Sequence, residues 1–144
     1  MTINQESRTP PSGPQAALSP EADALRALYQ SWTDRMVAEP GMTMAAMRSM
    51  FDEWSQPALE PEQVTYRSGV VGGVPAIWAL PVRADTARAI LYTHGGGFAV
   101  GSADSHRKLA GHLARALGVT ACILHDRLAP EHPFPAQLED AVSA

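Results

Sequence analysis

The stretch from Ala89 to Gly101, AILYTHGGGFAVG, narrows the folds open to this chain more than any other part of it. A short run of β-formers (Ile90, Leu91, Tyr92, Thr93) stops at His94 and three consecutive glycines, the pattern of a buried strand that delivers bare backbone to a loop. With no Cβ at Gly95, Gly96 and Gly97, the chain can take φ > 0 and a ligand atom can come close to the peptide N–H groups. N–H groups held between a strand and a following helix suit an oxyanion hole, which stabilises charge developing on a carbonyl oxygen.

The residues after this loop set the topology. Asp104 or Ser105 is placed to cap a helix expected to bury Leu109, Leu113, Ala116 and Leu117 and to end at Gly118. A second continuous apolar run, Val119 to Leu124, completes a strand, helix, strand unit whose two strands should be parallel. Upstream the apolar period is two. Val64 and Tyr66, a Gly72-Gly73 turn and Ala76 to Leu80 read as a β-hairpin, joined to the central strand at Ala89 by a polar connection from Pro81 to Arg88. Downstream, Arg127 to Ala136 (RLAPEHPFPA) is a proline-punctuated loop, and Gln137, Leu138, Ala141 and Val142 begin a helix with no C-cap before Ala144. The expectation is an α/β core, incomplete, over residues 62–144.

Residues 1–18 hold Pro10, Pro11, Gly13 and Pro14 among polar residues, too little apolar surface to repay ordering, and are expected to form a mobile tail. Ser19 as N-cap and Pro20 at the first helical position then open a helix carrying Leu25, Leu28, Tyr29, Trp32 and Met36 at helical spacing as far as Pro40-Gly41. A second helix starts after the N-cap Thr43 and aligns Met44, Met47, Met50, Phe51 and Trp54. Residues 19–56 are therefore read as a helical cap segment. Its stripes either pack on the body of the protein or, being methionine-rich, adapt to ligands.

Composition excludes several functions. A formal net charge of −4 with no run of Lys or Arg argues against nucleic acid or an anionic membrane as partner. The single cysteine, Cys122, rules out an internal disulfide and sits in an apolar run, as a small buried hydrophobe would. No apolar run approaches the ~18 residues of a membrane span, and no basic start with an apolar block marks a signal peptide, so a cytoplasmic protein is expected. A dinucleotide fingerprint beginning at Gly95 needs glycine where Val100 stands. No metal site is expected: His106 and His112 fall on different faces of their helix, and H-E-x-x-H is absent.

HGGGF followed by Gly101-Ser102, a gap of βαβ length, and RLAPEHPFPA together resemble the hormone-sensitive lipase family of α/β-hydrolases, the bacterial esterases above all. The resemblance implies an α/β-hydrolase fold with an N-terminal helical cap and hydrolysis of carboxylic esters or lactones by a serine triad without cofactor. Gly95, Gly96 and Gly97 match the oxyanion-hole glycines. His94 matches a residue that braces the loop, while Arg127 and Glu131 are spaced so that the proline loop can fold back and pair them, buttressing the site. Phe98, Trp32 and Met36 are candidates to line the substrate. Where the family commonly has Asp-Tyr, this chain has His125-Asp126, and Asp126 is expected to supply the acidic group from one position along. No Gly-x-Ser-x-Gly occurs, so none of the triad is expected within these residues. The implied partner is a small-molecule ester, with a homodimer left open. The alternative reading is a non-catalytic chain that binds ester-like ligands or another protein.

Overall fold

The computed structural model describes residues 19–144, so the tail expected over 1–18 lies outside it. Two helices come first, α1 (Pro20–Ala38) and α2 (Met44–Phe51), followed by a 3₁₀ turn, Asp52–Ser55. Both caps are as expected: Ser19 Oγ accepts from Ala22 N and Thr43 Oγ1 from Ala46 N, each at 3.2 Å.

The hairpin is β1 (Val64–Val71) and β2 (Val74–Pro81), turning through Gly72 and Gly73, both at positive φ. Then come β3 (Asp85–Tyr92), α3 (Ala103–Leu117), β4 (Val119–Leu124) and α4 (Ala136–Ser143). The strands form one mixed sheet in the order β1-β2-β4-β3. β3 and β4 are parallel, as the βαβ reading requires, while β1 with β2 and β2 with β4 are antiparallel. β3 starts at Asp85 rather than Ala89, because Asp85 N donates to Gly118 O at 2.8 Å. The residues between bulge, with Asp85 Oδ1 accepting from Ala87 N, and regular pairing resumes at Ala89.

Alternation along β2 and β4 divides the core between the two faces of the sheet. Ile77, Ala79, Ala121 and Ile123 pack with Ala103, Ala110 and Ala114 of α3. Ala76, Cys122 and Leu124 form the other cluster, against which Ala141 of α4 packs. Cys122 is buried there, and burial pushes its thiol above the ordinary range.

The expected burial on α3 is reversed. Leu109, Leu113, Ala116 and Leu117 are exposed, and the buried face is Ala103, His106, Ala110, Gly111 and Ala114. Small residues let the helix backbone sit close on the sheet: a Cβ on Gly111 would fall 2.2 Å from Tyr66 Oη. The cap of α3 also differs, being Ser102, whose Oγ accepts from Ser105 N while Ser105 Oγ accepts from Ser102 N.

Candidate active site

The glycine loop leaves the end of β3 and enters α3. Gly96 has φ 129° and Gly97 has φ 61°, conformations open to glycine and rare for other residues. Gly96 O accepts from Ala99 N and Val100 N at 3.2 and 3.1 Å, closing a tight turn. The N–H groups of Gly96, Gly97 and Phe98 donate to no acceptor among the described residues. A Cβ on Gly97 would meet nothing within 4 Å, so the space beside that peptide is open. A Cβ on Gly96 would fall 1.8 Å from Val100 O, which makes glycine there a packing requirement as well.

Behind the loop lies a layer of rings. The His94 side chain is buried, with Nδ1 2.8 Å from Gly95 O, so Nδ1 carries the proton in that hydrogen bond. Its Nε2 lies 3.3 Å from Asp126 Oδ1, both side chains being less than a tenth exposed. The alignment is poor, and Asp126 Oδ1 has no hydrogen-bond partner among the described residues. Asp126 thus approaches His94 from one position past the site where the family pattern has its acid. His106 lies between Trp54, which it meets edge-on (centroids 4.4 Å), and His94 (5.6 Å), and burial lowers its pKa. Gly95 backs onto this pair, Trp54 and His106.

The expected Arg127–Glu131 pair does not form. Arg127 turns to α4, where its Nε donates to Asp140 Oδ1 at 2.9 Å and its Nη2 to Glu139 Oε2 at 3.0 Å. Glu131 instead accepts from Arg48 of α2, at 3.0 Å from Nη1 and 2.6 Å from Nη2. Arg48 also donates to Ala99 O (2.9 Å) and Ala129 O (2.8 Å), and holds the Glu131 carboxyl down at about 2. Sequence reasoning passed over Arg48. Its signal was a lone arginine set beside Met47 and Phe51 in an otherwise apolar stripe.

Residues 90–144 match the family model of the alpha/beta hydrolase fold. An esterase of the bacterial hormone-sensitive lipase family shares 35% identity and a TM-score of 0.76, over 90% of this chain and 42% of its own. The chain has an α/β-hydrolase fold similar to that of the hormone-sensitive lipase esterases. An acetyl-hydrolase of Streptomyces hygroscopicus is 50% identical over 51% of this chain and 24% of its own length. A carboxylesterase of Mycobacterium tuberculosis is 35% identical over 61% of this chain and 28% of its own. The matched stretch thus spans about a quarter of each curated relative.

Within this α/β-hydrolase fold the three candidate lining residues differ in burial. Trp32 is 3% exposed, packed on Phe51 and donating from Nε1 to Glu53 Oε2 at 3.2 Å, so among the described residues it packs α1 against α2 and the turn after it. Met36 and Phe98 are exposed, Phe98 at 62% and with φ 62°. A cavity of about 310 Å³ lies between α1, the segment after α2, and α3, lined among others by Leu25, Trp54, Pro57, Ala58 and Leu109. None of Gly96, Gly97, Phe98, Trp32 or Met36 lines it. Its nearest link to the glycine loop is the Trp54 and His106 wall that backs Gly95. No helix among the described residues is long and apolar enough to cross a membrane.

Proposed function

We propose that this chain supplies the oxyanion-hole half of a serine carboxylic-ester hydrolase. The carrying observation is the turn that leaves the Gly96 and Gly97 N–H groups without acceptors among the described residues, with open space beside Gly97. In this reading a serine hydroxyl adds to the ester carbonyl and its proton passes to a histidine. The carbonyl oxygen becomes an oxyanion that accepts from the two glycine N–H groups, and collapse expels the alcohol with that proton. Water then releases the acid by the same path. His94, hydrogen-bonded to the loop's own carbonyl, braces the turn and takes no part in proton transfer.

An acetyl-hydrolase and an ethyl acetate hydrolase of Pseudomonas putida, 48% identical over 39% of this chain, are among the relatives. They support an uncharged ester with a short acyl group as the substrate. The serine and its partners lie outside these 144 residues, which contain no Gly-x-Ser-x-Gly. The test is steady-state kinetics on p-nitrophenyl esters of graded acyl length, with the longest natural polypeptide carrying this sequence. Turnover should be highest for acetate and butyrate, and no turnover of any ester overturns the proposal. The missing elbow motif favours one second reading, a chain that binds ester-like ligands without hydrolysing them. Ligand binding with no turnover in that same polypeptide would select it.

A further inference from the structure

We infer that Arg48 is a positioning residue that locks the oxyanion loop to the cap, so that cap helix α2 takes part in aligning the Gly96 and Gly97 donors. This rests on the proposed role of those glycines. Arg48 is separated by 51 residues from Ala99 and by 83 from Glu131, yet its guanidinium joins both. Nε donates to Ala99 O at 2.9 Å, two residues past Gly97, and Nη2 donates to Ala129 O at 2.8 Å in the proline loop. The two loops also touch directly, Ala129 N donating to Phe98 O at 2.8 Å. Glu131 closes the arrangement from the far side by accepting from Nη1 and Nη2.

The planar fork of donors is what the task requires. One group must satisfy two carbonyl oxygens and a carboxylate at fixed angles, which a guanidinium does and a lysine ammonium, with its three donors on one atom, does not. Ala99 is also the residue whose N–H closes the turn on Gly96 O. Fixing the Ala99 carbonyl therefore fixes the plane of the peptide after it and the turn before it, and with them the direction of the glycine N–H groups. Such alignment matters most where charge has developed, so losing it should lower kcat while leaving KM nearly unchanged.

The test compares Arg48→Gln, Arg48→Lys and Glu131→Gln in the longest natural polypeptide carrying this sequence, by amide hydrogen exchange and by kinetics on p-nitrophenyl acetate. Arg48→Gln should speed exchange in 94–101 and 128–132 together. It should also lower kcat by about 10–100-fold, less than the ~10²–10³ of losing an oxyanion donor outright, with KM within about threefold. Glu131→Gln, which keeps the bonds to Ala99 and Ala129, should cost less. Should Arg48→Gln not fold, Arg48→Lys decides: it keeps the charge, and it should still lower kcat and loosen 94–101. Unchanged kcat per folded molecule in both Arg48 variants, or faster exchange confined to α2, overturns the inference. If the unaltered protein turns over no ester, the functional reading fails, and the exchange at 94–101 and 128–132 still decides whether Arg48 holds the loops.

Discussion

Arg127 and Asp140 are joined through both backbone and side chain: the backbone N–H of Arg127 donates to Oδ2 at 2.8 Å, and its Nε donates to Oδ1 at 2.9 Å. The end of β4 is thereby tied to the middle of α4, and the proline loop between them is pinned at its entry. Asp140 is buried, and the Arg127 guanidinium holds its carboxyl below the ordinary 3.8. A depressed carboxyl adds stability that is complete above its unfolded pKa and is lost as pH falls through the folded value. Asp140→Asn should therefore cost about 1.5–3 kcal/mol at neutral pH, the range for hydrogen bonds to charged groups. The gap to the unaltered protein should close below pH 4. Urea unfolding at pH 7 and at pH 3 measures both; an equal cost at the two values would refute the coupling.

Gly96 and Gly97 should respond differently to alanine. At Gly97 the added methyl meets open space, so the cost is that of a side chain in the left-handed region, about 1–2 kcal/mol. At Gly96 the methyl collides with Val100 O, and the turn must open. Gly96→Ala should be the more destabilising of the two by denaturant unfolding, and it should abolish the joint protection of Ala99 and Val100 amides.

Trp32 and Met36 lie one turn apart on α1 with opposite burial. Trp32→Ala should cost about 3–5 kcal/mol, as for other large-to-small changes in a core. Met36→Ala should stay within about 0.5 kcal/mol, as at ordinary surface positions. Preference between short and long acyl esters should be unaltered by Trp32→Phe. A shift in that preference with intact stability would return Trp32 to the substrate.

His106 carries a pKa lowered from 6.5, chiefly by burial and in part by the nearby His94, against the pull of Ser102 O and Asp52. A base depressed in the folded state binds its proton more readily when unfolded, so stability falls as pH drops below about 6.5. His106→Gln should remove that part of the slope between pH 7 and 5. Thermal unfolding across this range checks it, and an unchanged slope would assign the dependence to another group.

Local chemistry made much of the fold legible from residue order alone. Ser19, Thr43 and Gly118 end their helices through contacts three or four residues away, Gly72-Gly73 turns its hairpin, and the β3, α3, β4 order admits a parallel pair. The glycine loop was visible for the same reason, since a tight turn with positive φ is a property of its own residues. Tertiary structure decided what depends on distant partners. Leucine is more hydrophobic than alanine or glycine, yet α3 presents its alanines and Gly111 to the sheet, because close approach to β2, β4 and Tyr66 leaves no room for more. Arg127 had Glu131 within reach of sequence but found Asp140 and Glu139, while Glu131 found an arginine 83 residues away. An ion pair is chosen by where folded elements place the two charges, and spacing along the chain carries no record of that.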